Sequence, residues 1–448
     1  MYTVAEIISF LPHQSAQVAD PNHIIAELSY DTRKILSGNK SLFFALKNVR
    51  DGHAYIEEAY SKGVSAFVIS DPSVDLSLYP KATFILVNDA LEAMQQLASR
   101  RRNDCKDVTV VAITGSNGKT VVKEWLTQLL GNDYKVYQSP KSYNSQIGVA
   151  LSLWNLSNEY DYAFIEAGIS NPGEMATLEK MIQPQCGIFT NIGNAHASGF
   201  SSQEEKLHEK LLLFRRPGID IIYSSTYRLD KYLSKQEYGL FACGTLSSDK
   251  ITVQSIENVG PFSTKIKVMA DGVEQEFIVP FTDRGSIENI LICITFLSYS
   301  GYPLADIARR ISVLKSLEMR LQLKKGKKGC SIIDDSYSND LASLQIALDF
   351  LMQQKQHKHK KLVLSGMEGL DEKLATKLFD LLAKQPLDSV ILVGEELTFL
   401  RNLSIPTTLF LSTEELLEGT SERDFANQTV LIKGSRYYHL EDLSRMLT

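Results

Sequence analysis

Residues 110–125 read "VVAITGSNGKTVVKEW". An apolar run passes through two glycines and a lysine into a second, differently spaced apolar segment. Val108 to Thr114 has the length and composition of a strand. Beyond the glycines, Val121, Val122, Trp125, Leu126 and Leu129 share one helical face before Gly131, so the spacing predicts a helix closed by glycine. A strand feeding a glycine turn at a helix amino end makes an anion site, because unpaired backbone N–H groups and the positive end of the helix dipole face the turn. Gly115 and Gly118 would let backbone approach a phosphate, with Ser116 and Asn117 between them, Lys119 reaching the outer phosphates and the Thr120 hydroxyl suiting Mg²⁺. The full GxxxxGK[ST] pattern needs glycine where Ile113 stands. The shorter GxxGKT leaves a bare turn between core elements as the alternative.

Working outward, residues 104–312 alternate strands ("VTVVAIT", "YAFIEAG", "CGIFTNIG") with helices, the pattern of a mainly parallel sheet covered on both faces. A β-rich insertion is expected from Ile251 to Pro280, and a helix apolar almost all round, hence buried, from Asn289 to Leu297. Residues 313–448 repeat the alternation ("CSIID", "KLVLSG", "SVILVGE", "TVLIKGS") like a second doubly wound, Rossmann-like unit. Residues 1–103 hold strand-like "VSAFVIS" and "TFILV", then a helix through Leu91, Met94 and Leu97 ending in "SRRRND", read as a linker with Arg100 to Arg102 at the helix carboxyl end. The expectation is an α/β protein of three domains, 1–103, 104–312 and 313–448, the central one a P-loop parallel-sheet ATPase.

Composition narrows the function. The chain has 448 residues, 44% hydrophobic and 22% charged, with a formal net charge of −6. That balance gives no electrostatic footprint for nucleic acid. No run of about eighteen apolar residues lacks a charge, so no membrane span is expected. The opening "MYTVAEIISFLPHQ" reads as an amphipathic helix through Val4, Ile7, Ile8 and Leu11, not a signal peptide. Five scattered cysteines without a CxxC pair fit reduced thiols in a cytoplasm.

Other polar residues fall where a phosphate site would use them. Glu166 ends the strand "YAFIE", on the edge where open α/β sheets bind ligands. With Thr120 it is an oxygen donor of the kind Mg²⁺ prefers. His196 follows "CGIFTN" by a short loop and, taken alone, reads more readily as a loop or core histidine than as a ligand. Leu207, Lys210, Leu211 and Phe214 share a helical stripe, which turns a lysine inward. Burial would favour the neutral amine that adds CO₂ to become a carbamate; a snorkelling lysine is the alternative. The histidines of "KQHKHKK", Lys355 to Lys361, read as a solvated loop, not a metal site.

In this order the motifs "YDTR", "LFFALKNVRDGHAY", "GSNGKTVVKE", "YNSQIGVALSL", "EAGISNPGEM", "NIGNAHASGF", "DDSYSND" and "LIKGSR" resemble the Mur ligases, the ATP-dependent amide-forming enzymes of peptidoglycan synthesis. The likeness is closest to the MurF branch, which joins D-Ala-D-Ala to UDP-N-acetylmuramoyl-tripeptide. Branches adding a diamino acid usually carry DNPR and GKGHE segments, neither of which occurs here. Folate-polyglutamate ligases resemble only the central and last blocks.

The resemblance implies a UDP-binding first domain, a central ATPase and a mobile last domain. It implies ATP, Mg²⁺ as two ions and a CO₂-derived carbamate on Lys210, with Lys119, Lys210 and His196 catalytic and Thr120, Glu166, His196 and Lys210 at metal. It sets Asn289 toward adenine, Arg320 and Asp335 near the ATP ribose and phosphates, and Asn144 with the acceptor. Asp31, Arg33, Asp51, Gly52 and His53 fall in the nucleotide-sugar region. Departures include Ser338, Asn339, Asp340 and Leu341 in place of Asn-Ala-Asn-Pro, where Asn339 or Asp340 would cap the next helix, and Ala150 in place of proline. They match a subgroup in which an alanine racemase follows the ligase, so a fused or separate racemase is an expected partner. A ligase adding another amino acid, a nucleotide-switched binding protein and a scaffold without catalysis are the rival readings.

Overall fold

The computed structural model describes all residues except 36, 48–49, 194–198, 235–236, 261–262, 316, 318–319 and 368, and the side chain of residue 342. The chain forms two compact units: Met1–Thr114, Leu130–Ile188 and His208–Ile221 in one, and Gly115–Leu129, Phe189–Leu207 and Ile222–Thr448 in the other. Among the described residues the three main sheets fall in chain order within residues 15–86, 109–279 and 322–433.

In the first unit, strands Glu27–Ser29, Ser41–Phe44, Ala66–Ile69 and Thr83–Leu86 are parallel neighbours, and Ser15–Gln17 closes the far edge antiparallel to Thr83–Leu86. Their buried aromatic and branched residues, Phe43, Phe67 and Phe84 among them, form one core. The amino-terminal helix, Val4–Phe10, buries Val4 and Ile7, and Thr3 and Glu6 form a capping box that satisfies its first N–H groups. Strands Thr109–Thr114, Tyr162–Glu166 and Val136–Gln138 lie parallel in that order. The register places Glu166 opposite Ile113, at the carboxyl end from which the phosphate loop departs.

The segment expected as a linker at residues 99–104 is helical instead, part of Ala90–Asp104. Arg102 is buried there, and its guanidinium donates to the carbonyls of Ile182 (2.9 Å), Cys105 (3.1 Å) and Gln183 (3.1 Å) and to Gln185 Oε1 (2.8 Å). The arginine run looks like a solvated helix end in sequence, yet one member turns inward and donates to three backbone carbonyls. Arg102→Met is therefore expected to destabilise the unit by about 3 kcal/mol, read as a lower urea midpoint; an unchanged midpoint would refute the clamp.

In the second unit, Ile251–Gly260, Ser263–Ala270 and Val273–Val279 form an antiparallel meander where a β-rich insertion was expected. Helix Arg284–Tyr299 buries every residue from Asn289 to Leu297, as its composition requires. The last sheet runs Gln322–Lys325, Ser331–Asp335, Thr429–Lys433, Lys360–Ser365, Ser389–Val393, Thr407–Phe410, parallel except for its first pair. All five cysteines are free and buried. No helix among the described residues is long and apolar enough to cross a membrane.

Candidate active site

Helix Lys119–Leu130 begins directly after Gly118, as the spacing of its apolar residues predicts. It is held inward by Trp125, which stacks on Phe281 (4.6 Å between centroids) and donates to the Lys315 carbonyl at 3.1 Å. The turn before it is braced from one side. Ser116 N–H donates to the Asn191 carbonyl and Asn117 N–H to Asn191 Oδ1, both at 2.9 Å, while Thr190 Oγ1 donates to the Asn117 carbonyl at 2.6 Å. Both glycines are required. Gly115 has φ +144° and a Cβ there would lie 2.0 Å from Thr190 Oγ1; Gly118 has φ +83° and a Cβ would lie 2.3 Å from Asn289 Oδ1. The Lys119 ammonium is folded over the loop, donating to the carbonyls of Gly115 (2.9 Å) and Ser116 (3.0 Å). Lys119 and Thr120 remain half-buried, so they stay within reach of a ligand.

Beside the loop lies a cleft of about 270 Å³ lined by Asn117, Asn191, Asp283, Glu288, Gln345 and Phe350, among others. Asn117 belongs to the cleft and to the phosphate loop, so one molecule could occupy both. Asp283 caps helix Arg284–Tyr299 by accepting from Ser286 N–H at 2.7 Å. Burial pushes its carboxyl upward, and the nearby Asp335 carboxylate adds to the effect. Gln345, Asp349 and Gln353 face the cleft from helix Leu341–Gln353. Asp340, set before that helix, accepts from Ser343 N–H at 3.0 Å and caps it. Asn339 is buried and donates to the Ser365 carbonyl at 2.8 Å.

Arg320 and Asp335 meet in the same unit through their neighbours. The Lys433 ammonium, fully buried, donates to Asp335 Oδ2 at 2.7 Å and to the Ser338 carbonyl at 2.6 Å, and Leu321 N–H donates to Asp335 Oδ1 at 3.2 Å. Arg320 donates to Ser338 Oγ at 3.0 Å, with its guanidinium 4.0 Å from the Tyr337 ring centroid. "DDSYSND" and "KGSR", joined by a bond between residues 98 apart in sequence, thus form one polar cluster.

In the first unit, Glu166 is 0% exposed and its backbone N–H donates to Ser139 Oγ at 3.2 Å. Asn144 packs against Gly168, whose N–H donates to the Asn144 carbonyl at 2.9 Å. Lys210 is 2% exposed, which excludes the snorkelling alternative. Next to it Glu209 accepts from the N–H groups of Gly173 (2.8 Å) and Met175 (3.1 Å), at the head of helix Glu174–Ile182, where a negative group offsets the helix dipole. Asp31 pairs with exposed Arg33 at 2.9 Å, and that bond holds the Asp31 carboxyl below its usual range. His53 takes a bond from Ser70 N–H at Nε2 (3.0 Å) and lies 2.6 Å from Asp51 through Nδ1, with Gly52 packed on the Leu46 backbone. His196 lies outside the described residues. Among the described residues no three His, Cys, Asp or Glu side chains gather as a metal cluster.

A model of the Mur ligase middle domain matches residues 113–297. The chain is 28% identical over 446 residues to the UDP-N-acetylmuramoyl-tripeptide--D-alanyl-D-alanine ligase of Bacillus subtilis (strain 168), covering 96% of this chain and 95% of that one. Residues 113–297 thus match the middle domain of the Mur ligases, and the chain is similar to such a ligase over nearly its whole length. Its fold is similar to that of MurF from Acinetobacter baumannii (TM-score 0.82, 23% identity, 99% of this chain and 98% of that one). It is also similar to the MurF ligase from Thermotoga maritima in complex with ADP (TM-score 0.77, 22% identity, 94% and 96%).

Sequence reasoning missed several residues of the cleft. Gln345, Asp349 and Gln353 recur every fourth residue, a polar stripe that helical periodicity could have exposed. Lys206, one turn before Lys210, went unremarked although it sits near the same inward stripe. Ser139 and Glu209 carried no local signal, since what they bond lies 27 and 34–36 residues away.

Proposed function

We propose that this chain joins D-Ala-D-Ala to UDP-N-acetylmuramoyl-tripeptide in peptidoglycan precursor synthesis, using ATP and an acyl-phosphate intermediate. The observation that carries the reading is the loop Gly115–Gly118, braced at a helix amino end with the Lys119 ammonium above it. Support comes from the relative's name over nearly the whole chain.

A carboxylate does not couple to an amine in water, because oxide would have to leave. Transfer of the γ-phosphoryl group of ATP to the tripeptide carboxylate makes phosphate the leaving group; the dipeptide amine then attacks the acyl carbon and phosphate departs. In our reading the amino end of helix Lys119–Leu130, directly after Gly118, orients the triphosphate, while Ser116 and Asn117 N–H brace the loop on Asn191, and Lys119 leaves its two loop carbonyls to offset the charge of the transferring group. Asn289, Arg320 and Asp335 serve the adenosine end, while Asn144, Asp31, Arg33 and Asp51–His53 serve the acceptor.

Mg²⁺, as two ions, would be held by Thr120, Glu166, His196 and Lys210, and when bound it offsets the repulsion between carboxylate and phosphates. The donors suit it: a hydroxyl and a fully buried carboxylate are hard oxygen ligands. Lys210 becomes an anionic ligand when its neutral amine adds CO₂ and releases a proton. Domains 1–103, 104–312 and 313–448 would hold the UDP part, the ATP and the incoming dipeptide's side of the reaction. The five buried free thiols agree with work in a reducing cytoplasm.

Phosphate release tests the whole reading. It is expected only with ATP, UDP-N-acetylmuramoyl-tripeptide and D-Ala-D-Ala together, and not when meso-diaminopimelate or L-lysine replaces the dipeptide. Release without any amine would point to a nucleotide switch, and release with a single amino acid to another branch. Lys210→Ala, or CO₂-free buffer, is expected to slow turnover about a hundredfold; full turnover in both would remove the carbamate.

A further inference from the structure

Helix Gln203–Leu211 carries two buried lysines one turn apart, Lys206 at 1% and Lys210 at 2% exposure. The family's motif accounts for Lys210 alone. Lys206 points into the phosphate site's scaffold: its ammonium donates to the Gly193 carbonyl at 2.6 Å. The same carbonyl accepts from Ser116 Oγ at 3.2 Å, and Gly193 N–H donates back to Ser116 Oγ at 2.9 Å. Bonds therefore run without interruption from Lys206 through Gly193 into the second residue of the phosphate loop.

The charges are as telling as the bonds. Lys206 feels Lys119 from the phosphate-loop helix and Asp340 from the start of helix Leu341–Gln353. Burial, then repulsion from Lys119, pushes its ammonium down to about 8, with Asp340 opposing. Lys206 thus lies within electrostatic reach of a second cation, Lys119, beside a helix amino end that favours anions. An anion bound there would offset the repulsion between the two ammonium groups.

We propose that Lys206 is a positioning residue of the phosphate site, fixing Asn191–Gly193 against Ser116 and adding its charge to that of Lys119 toward the nucleotide's phosphates. The inference rests on reading Gly115–Thr120 as an ATP site. It also separates the two lysines chemically: a carbamate at Lys206 would set an anion against the Gly193 carbonyl it now donates to, so CO₂ belongs to Lys210.

An incoming phosphate favours the ammonium form, so binding raises the Lys206 pKa and takes up a proton. Near pH 8 about half of Lys206 is neutral before binding. The test is calorimetric titration of the enzyme with AMP-PNP and Mg²⁺ at that pH, in two buffers of different ionisation enthalpy. Wild type is expected to take up as much as about half a proton. Lys206→Met should lose that uptake and bind about tenfold more weakly, with adenosine affinity unchanged. Lys206→Arg, which keeps the charge but does not titrate, should restore affinity without restoring uptake, and it decides the matter alone if the methionine variant does not fold. If wild type fails to bind AMP-PNP, the ATP reading itself falls. If wild type binds and the variants match it in proton uptake, or lose adenosine and AMP-PNP affinity alike, the role of Lys206 is overturned and the ATP site stands.

Discussion

Lys119→Met is expected to lower the rate of ATP-dependent phosphate release about a thousandfold while leaving the melting temperature near that of wild type. Methionine keeps most of the side chain's volume, and the position is half-buried, so the loop loses little packing. Two loop carbonyls lose a donor, at Gly115 and Ser116, but the bonds that brace the turn come from Thr190 and Asn191 and survive. What disappears is a mobile positive charge where negative charge accumulates as the γ-phosphoryl group moves. Removing one neutral donor at such a place costs about 10²–10³ in rate, and a charged donor in a water-poor site should reach the upper end. Steady-state phosphate release and nucleotide affinity, measured together, separate chemistry from binding. A variant within about fivefold of wild type in both would deny Lys119 the role its geometry gives it.

The strand–loop–helix unit was legible because every part of its signal is local. Apolar period two gives way to period 3.6 across a glycine turn, and nothing distant is needed to read it. The buried helix at Asn289 to Leu297 was legible for the same reason, as was Glu166 at a strand's carboxyl end. The linker expected at residues 99–104 failed because three arginines in a row look solvated, and only the carbonyls of Ile182 and Gln183, some eighty residues on, turn Arg102 inward. Asn289 is a subtler case. The family resemblance set it toward adenine, and in the fold its amide lies against Gly118 of the phosphate loop. Lys206 could be seen in sequence as a helical lysine, but the carbonyl it bonds is fixed by tertiary packing.

Gly118→Ala is expected to weaken binding of ADP with Mg²⁺ about a hundredfold, and adding Asn289→Ala to recover about tenfold of that loss. Two separate costs meet at this glycine. Its φ of +83° is one that an L side chain adopts at about 1–2 kcal/mol. A Cβ would also lie 2.3 Å from Asn289 Oδ1 and 3.0 Å from its Cγ and Nδ2, so either the loop or the buried asparagine must move. Asn289 cannot retreat easily, because it sits on a helix whose neighbours from Ile290 to Leu297 are all buried. Movement therefore falls on the loop and spoils the spacing of N–H groups that a phosphate needs. Truncating Asn289 removes the collision but leaves the backbone strain, so rescue must be partial, and Asn289→Ala by itself should cost only about threefold. Titration of the four proteins with ADP and Mg²⁺ completes the cycle. Strict additivity would mean that the alanine acts through φ alone; positive coupling would assign the difference to the contact between the helix and the loop.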